Sequence, residues 1–206
     1  MRIGLDFDNT IVNYDPLFHK VALEQSLVPA STAVSKVAVR DYLRKIGKEA
    51  VWTEMQGYVY GSRMGEAEAY PGVIDFIRNA KERGAEVVIV SHKTKYPFLG
   101  PKYDLHAAAS EWIVKSLGSG ETPLLTRAQV FFELTKDEKI SRIAACECDY
   151  FVDDLPEILE MSAFPSRADR MLFDPELAHQ GKRPYKKFGS WEEIKAFFES
   201  RWPVQN

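Results

Sequence analysis

Two aspartates close the first apolar run of the chain. In Ile3-Gly4-Leu5-Asp6-Phe7-Asp8-Asn9-Thr10 a short strand-like segment runs straight into Asp6 and Asp8. Residues two apart on an extended chain share a face, so both carboxylates can address one ligand. Such a pair can divide a displacement, one carboxylate attacking while the other moves a proton. The pattern recurs at Tyr150-Phe151-Val152-Asp153-Asp154. Carboxylates crowded from two strand ends repel one another and call for a cation between them. An oxygen-only donor set favours Mg²⁺, which keeps several waters and takes a substrate phosphate oxygen as a further ligand.

Simpler roles compete. Asp and Asn close turns, and Asp154 could be the N-cap of a helix over residues 155–161. A calcium loop is excluded, because Ile11 stands where that loop needs Gly and Leu17 where it needs Glu. No Gly-x-x-x-x-Gly-Lys-Ser/Thr loop and no Gly-x-Gly-x-x-Gly fingerprint occurs.

Asp6-Phe7-Asp8-Asn9-Thr10 resembles the first motif of the haloacid dehalogenase (HAD) superfamily. Val88-Ile89-Val90-Ser91 resembles the second, Lys139 the third-motif lysine, and Asp153-Asp154 the fourth, all in the family's order. The resemblance implies a Rossmann-like parallel α/β sheet covered by helices, carrying a small helical cap. It implies that Asp6 is the nucleophile and forms an aspartyl-phosphate, and that Asp8 is the acid and base. Ser91 and Lys139 would hold phosphoryl oxygens. Mg²⁺ would be bound by the Asp6 carboxylate, the Asp8 carbonyl and Asp153, with Asp154 nearby. Lys136 competes with Lys139 for the third-motif role, and either Asp153 or Asp154 could touch the metal directly. Asp8 is absent from the carbon–halogen dehalogenases of that superfamily, so its presence favours phosphoryl chemistry. The activity so implied is a Mg²⁺-dependent phosphatase acting on a small phosphorylated metabolite. Transfer to an acceptor other than water, or a catalytically silent binding module, are the alternatives.

Further contacts to substrate are expected near the motifs. Asn9 and Thr10 complete the first one. His92 and Lys93 open a basic, turn-rich loop after Ser91. Arg63, with Tyr58 and Tyr60, lies near the end of the cap segment and could meet an anionic group or a ring. His19, His106 and His179 have no ligand-like spacing and read as structural or exposed.

The elements that must position these residues are legible as periodicity. Short apolar runs at 2–7, 85–90, 129–134, 150–153 and 170–173 read as strands covered on both faces. Between them, helical stripes run over 73–83 and 104–117. Capping boxes Thr135-x-x-Glu138 and Ser190-x-x-Glu193 open two more helices, the second over 191–198. Residues 13–69 break the rhythm with helical patterns at 14–27 and 37–47. They read as a cap inserted into a core made of 1–12 and 70–206. Gly57, Gly61 and Gly65 could be hinges or merely turn residues.

Composition bounds the rest. The chain has 206 residues and a formal net charge of −3, so nothing global favours nucleic acid or an anionic membrane. The two cysteines, Cys146 and Cys148, suit neither a disulfide framework nor a zinc site. No 18-residue apolar run and no signal-peptide core is present, and a cytoplasmic location is the expectation. Nothing in the sequence specifies the oligomeric state.

Overall fold

A computed structural model of the chain describes residues 1–119 and 122–202. Its strands are β1 (Arg2–Leu5), β2 (Val12–Asn13), β3 (Glu68–Ala69), β4 (Glu86–His92), β5 (Gly118–Ser119), β6 (Thr122–Pro123), β7 (Val130–Glu133), β8 (Tyr150–Asp153), β9 (Asp169–Phe173) and β10 (Lys186–Phe188). The α-helices are α1 (Asp15–Glu24), α2 (Lys36–Lys45), α3 (Glu49–Tyr60), α4 (Val73–Glu82), α5 (Leu105–Ser116), α6 (Lys136–Ala145), α7 (Pro156–Leu159) and α8 (Trp191–Phe198).

Six strands form one parallel sheet in the order β10-β9-β8-β1-β4-β7. The chain starts at the centre, builds outward through β4 to β7, then crosses back to lay β8, β9 and β10 on the other side. That reversal opens a crevice at the carboxyl ends of β1 and β8, where ligands bind in open α/β sheets.

Alternation along the strands divides the core. Ile3, Leu5, Val87, Ile89, Val152, Met171 and Phe173 pack against α4, α5 and α8. Val88, Val90, Phe151 and Leu172 pack against Ile140 and Ile143 of α6 and Ile158 and Leu159 of α7. The Rossmann-like α/β architecture is therefore the one the sequence indicates. The strand at 186–188 escapes sequence reading because Lys186-Lys187-Phe188 offers a single apolar side chain. An edge strand needs no more.

The stretch that breaks the rhythm is helical. β2 and β3 pair antiparallel, Val12 with Ala69 and Asn13 with Glu68, and so tie together the entry and exit of α1, α2 and α3. Phe18, Leu43, Trp52, Met55 and Val59 join the same apolar cluster as α4 and α5. Gly57 and Gly61 are close-approach points. A Cβ on Gly57 would stand 2.6 Å from Pro97, and one on Gly61 would meet the Tyr103 side chain. Neither glycine has a positive φ. At Gly57 and Gly61 the absent side chain lets α3 lie directly on the loop that follows β4.

Candidate active site

Asp6 leaves β1 between β4 and β8, its N–H donating to the Val152 carbonyl at 2.9 Å. Gly4, opposite Val88 and Phe151, faces the α6 layer, and Asp6 two residues on continues that face. Asp153 does the same after Phe151. A Cβ on Gly4 would stand 2.5 Å from the Phe151 ring, so glycine is what lets β1 and β8 meet here.

α6 covers this face. Its start is set by a reciprocal cap, Thr135 Oγ1 accepting from the Glu138 N–H at 3.1 Å while the Glu138 carboxylate accepts from the Thr135 N–H at 3.0 Å. Lys139 follows within the first turn and is buried. Its Nζ donates to Asp6 Oδ1 and to Asp153 Oδ2, at 2.6 Å each. Lys136 points outward and pairs with Glu157 at 2.6 Å. Of the two candidates, the geometry brings only Lys139 to the acids. Ser91 Oγ donates to Asp6 Oδ1 at 2.9 Å.

Asp154 is not a helix cap. The cap residue of α7 is Leu155, with no side-chain cap bond, and its N–H donates to Asp153 Oδ1 at 3.0 Å. Asp154 instead turns to the acids. Asp6, Asp153 and Asp154 each offer a carboxylate oxygen within 4.8 Å of the others. The only hydrogen bond to Asp154 among the described residues comes from Thr10 Oγ1 at 3.4 Å.

The charges show what the cluster lacks. Burial, with Asp6 adding to it, pushes Asp153 up to about 6 against the pull of Lys139. Burial, Asp6 and Asp153 push Asp154 well above the usual carboxylate range. Burial would lower Lys139, but Asp153 and Asp6 outweigh it and the ammonium is held charged. Lys139 thus bonds two of the three convergent carboxylates and leaves Asp154 without a contacting cation among the described residues. An all-oxygen donor set short of positive charge fits a hard divalent cation such as Mg²⁺.

Asp8 is set apart from this cluster. Lys93 Nζ donates to both its oxygens, at 2.9 and 2.8 Å, and the Tyr14 hydroxyl donates to Oδ1 at 2.6 Å. Burial would raise Asp8, yet the charge and hydrogen bonds of Lys93 and the Tyr14 hydroxyl bring it below the ordinary value. Lys93, expected at phosphate, is thus committed to Asp8, and its ammonium also lies 4.8 Å from the Tyr60 ring centroid.

The other expected contacts divide. Thr10 is buried beside Asp154. Asn9, at φ 57°, lines a cavity of about 350 Å³ together with Asp154. His92 turns away and donates Nε2 to the Leu134 carbonyl at 3.0 Å. Arg63 is not brought to the acids either. Its guanidinium binds Glu24 at 2.6 Å and Glu66, and it stacks on Tyr58. Two carboxylates in its own segment satisfy the charge that the sequence left free for a ligand. A larger cavity of about 520 Å³ lies between α5 and β7 and includes none of Asp6, Asp8, Asp153 and Asp154.

Sequence reasoning missed Tyr14 and Lys36. Tyr14 stands six residues beyond Asp8, at the start of α1, where an aromatic reads as core. Lys36, the first residue of α2, sits on the wall of the 350 Å³ cavity, and no sequence pattern marks it.

No protein-family model matches the chain. A curated protein from Oceanobacillus iheyensis that carries a provisional nucleotidase name is 20% identical over 202 residues, covering 94% of this chain and 97% of that one. Among solved structures, a HAD family hydrolase from Deinococcus radiodurans with bound phosphate and sodium superposes with a TM-score of 0.58 at 12% identity, over 100% of this chain and 98% of that one. A magnesium-bound protein from Bacillus subtilis described as a HAD hydrolase gives 0.57 at 12% identity, over 96% and 98%. A predicted phosphoglycolate phosphatase from Haemophilus somnus gives 0.52 at 14% identity, over 96% and 97%. Dehalogenases are also among the similar structures. With a parallel sheet that reverses at its first strand and acids gathered at that reversal, the chain has the fold of the haloacid dehalogenase superfamily hydrolases.

Proposed function

We propose that the protein is a Mg²⁺-dependent phosphatase that hydrolyses a small phosphorylated metabolite through an aspartyl-phosphate on Asp6. The observation that carries this reading is the convergence on Asp6 of Ser91, Lys139, Asp153 and Asp154. Asp8, whose presence the family resemblance ties to phosphoryl and not carbon–halogen chemistry, follows two residues after Asp6 and is held by Lys93 and Tyr14. Asp6, Asp153 and Asp154, with the Asp8 carbonyl, would hold Mg²⁺. When bound, the ion neutralises phosphoryl charge as a Lewis acid.

The side chains account for the rest. An Asp6 oxygen attacks phosphorus and the bond to the leaving oxygen breaks. Ser91 and Lys139, which converge on Asp6 Oδ1, donate to the phosphoryl oxygens and offset the repulsion between two anions. Asp8 delivers a proton to the leaving oxygen. It then takes one from the water that attacks the aspartyl-phosphate, so that the bond from phosphorus to Asp6 breaks and phosphate departs. Lys93 favours ionised Asp8, the form required for the water step. Delivering a proton is then the harder duty, and it matters least for leaving groups that are already stable anions. α1, α2 and α3 would cover the site and exclude water.

An aryl phosphate is therefore the right first substrate. Phosphate release is expected with Mg²⁺ and not after chelation. Silence across aryl, sugar and nucleotide phosphates with Mg²⁺ present would defeat the proposal. Appearance of the phosphoryl group on a second metabolite would favour transfer over hydrolysis.

A further inference from the structure

The 350 Å³ cavity is lined by Asn9 and Asp154, by Lys36 and Arg40 of α2, and by Tyr70 and Phe173. It is the space that a substrate's leaving group would enter beside the acid cluster. Lys36 is fixed there. Ser35 caps α2, and the Lys36 N–H donates to Asp15 Oδ1 at 2.7 Å. The ammonium lies 5.7 Å from the Phe18 ring centroid and 5.5 Å from that of Tyr60.

Among the described residues, no carboxylate lies within 4.0 Å of that ammonium. Asp8 and Asp154 act on the ammonium through space without touching it, and the other acids on the cavity wall have partners of their own. Asp174 accepts from the N–H groups of Ala178 and His179, at 2.9 and 3.0 Å. Asp15 accepts from the Lys36 N–H, and burial with the neighbouring Asp15 raises Glu176 above its ordinary value. Among the described residues, Arg40 donates from its Nε to Asp41 at 2.8 Å. A half-buried ammonium braced by aromatic rings, with no paired carboxylate, is built to receive an anion.

We infer that Lys36, supported by Arg40, binds a second anionic group on the substrate, so that the substrate is a phosphorylated carboxylic acid and not a neutral phosphate ester. The inference rests on the phosphatase reading for the position of the phosphoryl group. Selectivity of this kind lives in the leaving group, since every substrate presents the same phosphoryl group to Asp6.

The test compares isosteric pairs. Phospholactate and isopropyl phosphate differ only in a carboxylate replacing a methyl, and kcat/KM is measured for both with Mg²⁺. Binding of 3-phosphonopropionate and propylphosphonate, which cannot be hydrolysed, is measured in parallel by calorimetry. The acid member of each pair is expected to be favoured by at least about tenfold. That ratio should fall toward one in Lys36→Met and be partly retained in Lys36→Arg, with circular dichroism checking that both variants are folded. Equal affinity for the two phosphonates, or an acid preference that survives Lys36→Met, overturns the inference. If the binding preference appears but no ester is turned over, the anion subsite stands and the phosphatase reading fails. If esters are turned over without preference, the reverse holds.

Discussion

Asp6 is the residue on which the proposed chemistry turns, and its neighbours make the consequence of replacing it specific. Asp6→Asn keeps the size and still leaves Lys139 a partner in Asp153. Phosphate release should drop by roughly 10³-fold or more while the circular dichroism spectrum stays unchanged. Lys139→Met acts differently, because it strands buried acids without their ammonium. We expect a loss of about 3–5 kcal/mol in urea unfolding at neutral pH. Part of it should return on adding Mg²⁺, since a cation replaces the missing charge. A stability equal to wild type would mean that the pair is not buried in solution. Asp149 gives the clearest pH signature outside the site. Its carboxylate accepts from the Arg2 N–H at 2.8 Å and from Arg167 at 2.9 Å. Burial works to raise it, but these bonds and the Arg167 charge win and hold it below the ordinary value. A depressed carboxylate stabilises the fold above its unfolded pKa, and the contribution is lost as pH falls through the folded value. Wild type should therefore melt above Asp149→Asn near pH 7, and the gap should close on acidification below about pH 3.8.

At the scale of elements, the contact between α3 and the loop after β4 decides how the helical segment sits over the site. Gly57 touches Pro97 there, and Gly61 touches Tyr103. Gly57→Ala must push Pro97 aside and should cost about 1–3 kcal/mol in denaturant unfolding. Gly65→Ala is the internal control, because its Cβ would meet nothing within 4 Å. If the two variants unfold alike, the packing account of α3 is wrong. The reciprocal cap of α6 matters for a related reason, since it sets where Lys139 lies along the helix. An end that slipped by one residue would rotate that side chain by about 100° and take it off the acids.

For the molecule as a whole, metal occupancy and folding should be linked. The acid cluster joins β1 to β8 across the reversal point of the sheet, so an ion held there binds the native state and not the unfolded chain. Mg²⁺ at one hundred times its dissociation constant should add about 2.7 kcal/mol of stability. The melting temperature should rise with Mg²⁺ and fall with chelator. Asp153→Asn and Asp154→Asn should each blunt the rise. A rise of the same size in Asp153→Asn would place the ion elsewhere.

Much of this was visible as periodicity and order along the chain. Alternation and helical stripes carried the α/β class, and two acid-terminated strands with Ser91 and Lys139 between them carried the candidate site, because both depend on residues close in sequence or on their order. Lys136 and Lys139, three residues apart in one helix, could be separated only by where α6 docks. The partners of Asp8 lie 6 and 85 positions away, so Tyr14 and Lys93 joined it only when α1 and the loop after β4 packed together. Arg63 looked free for a ligand until the fold brought Glu24, 39 residues distant, against it. Local sequence sets hydrogen-bonding period and burial pattern, which fix what an element is. Which charges neutralise one another is settled by distance in space, and that exists only after the chain has folded.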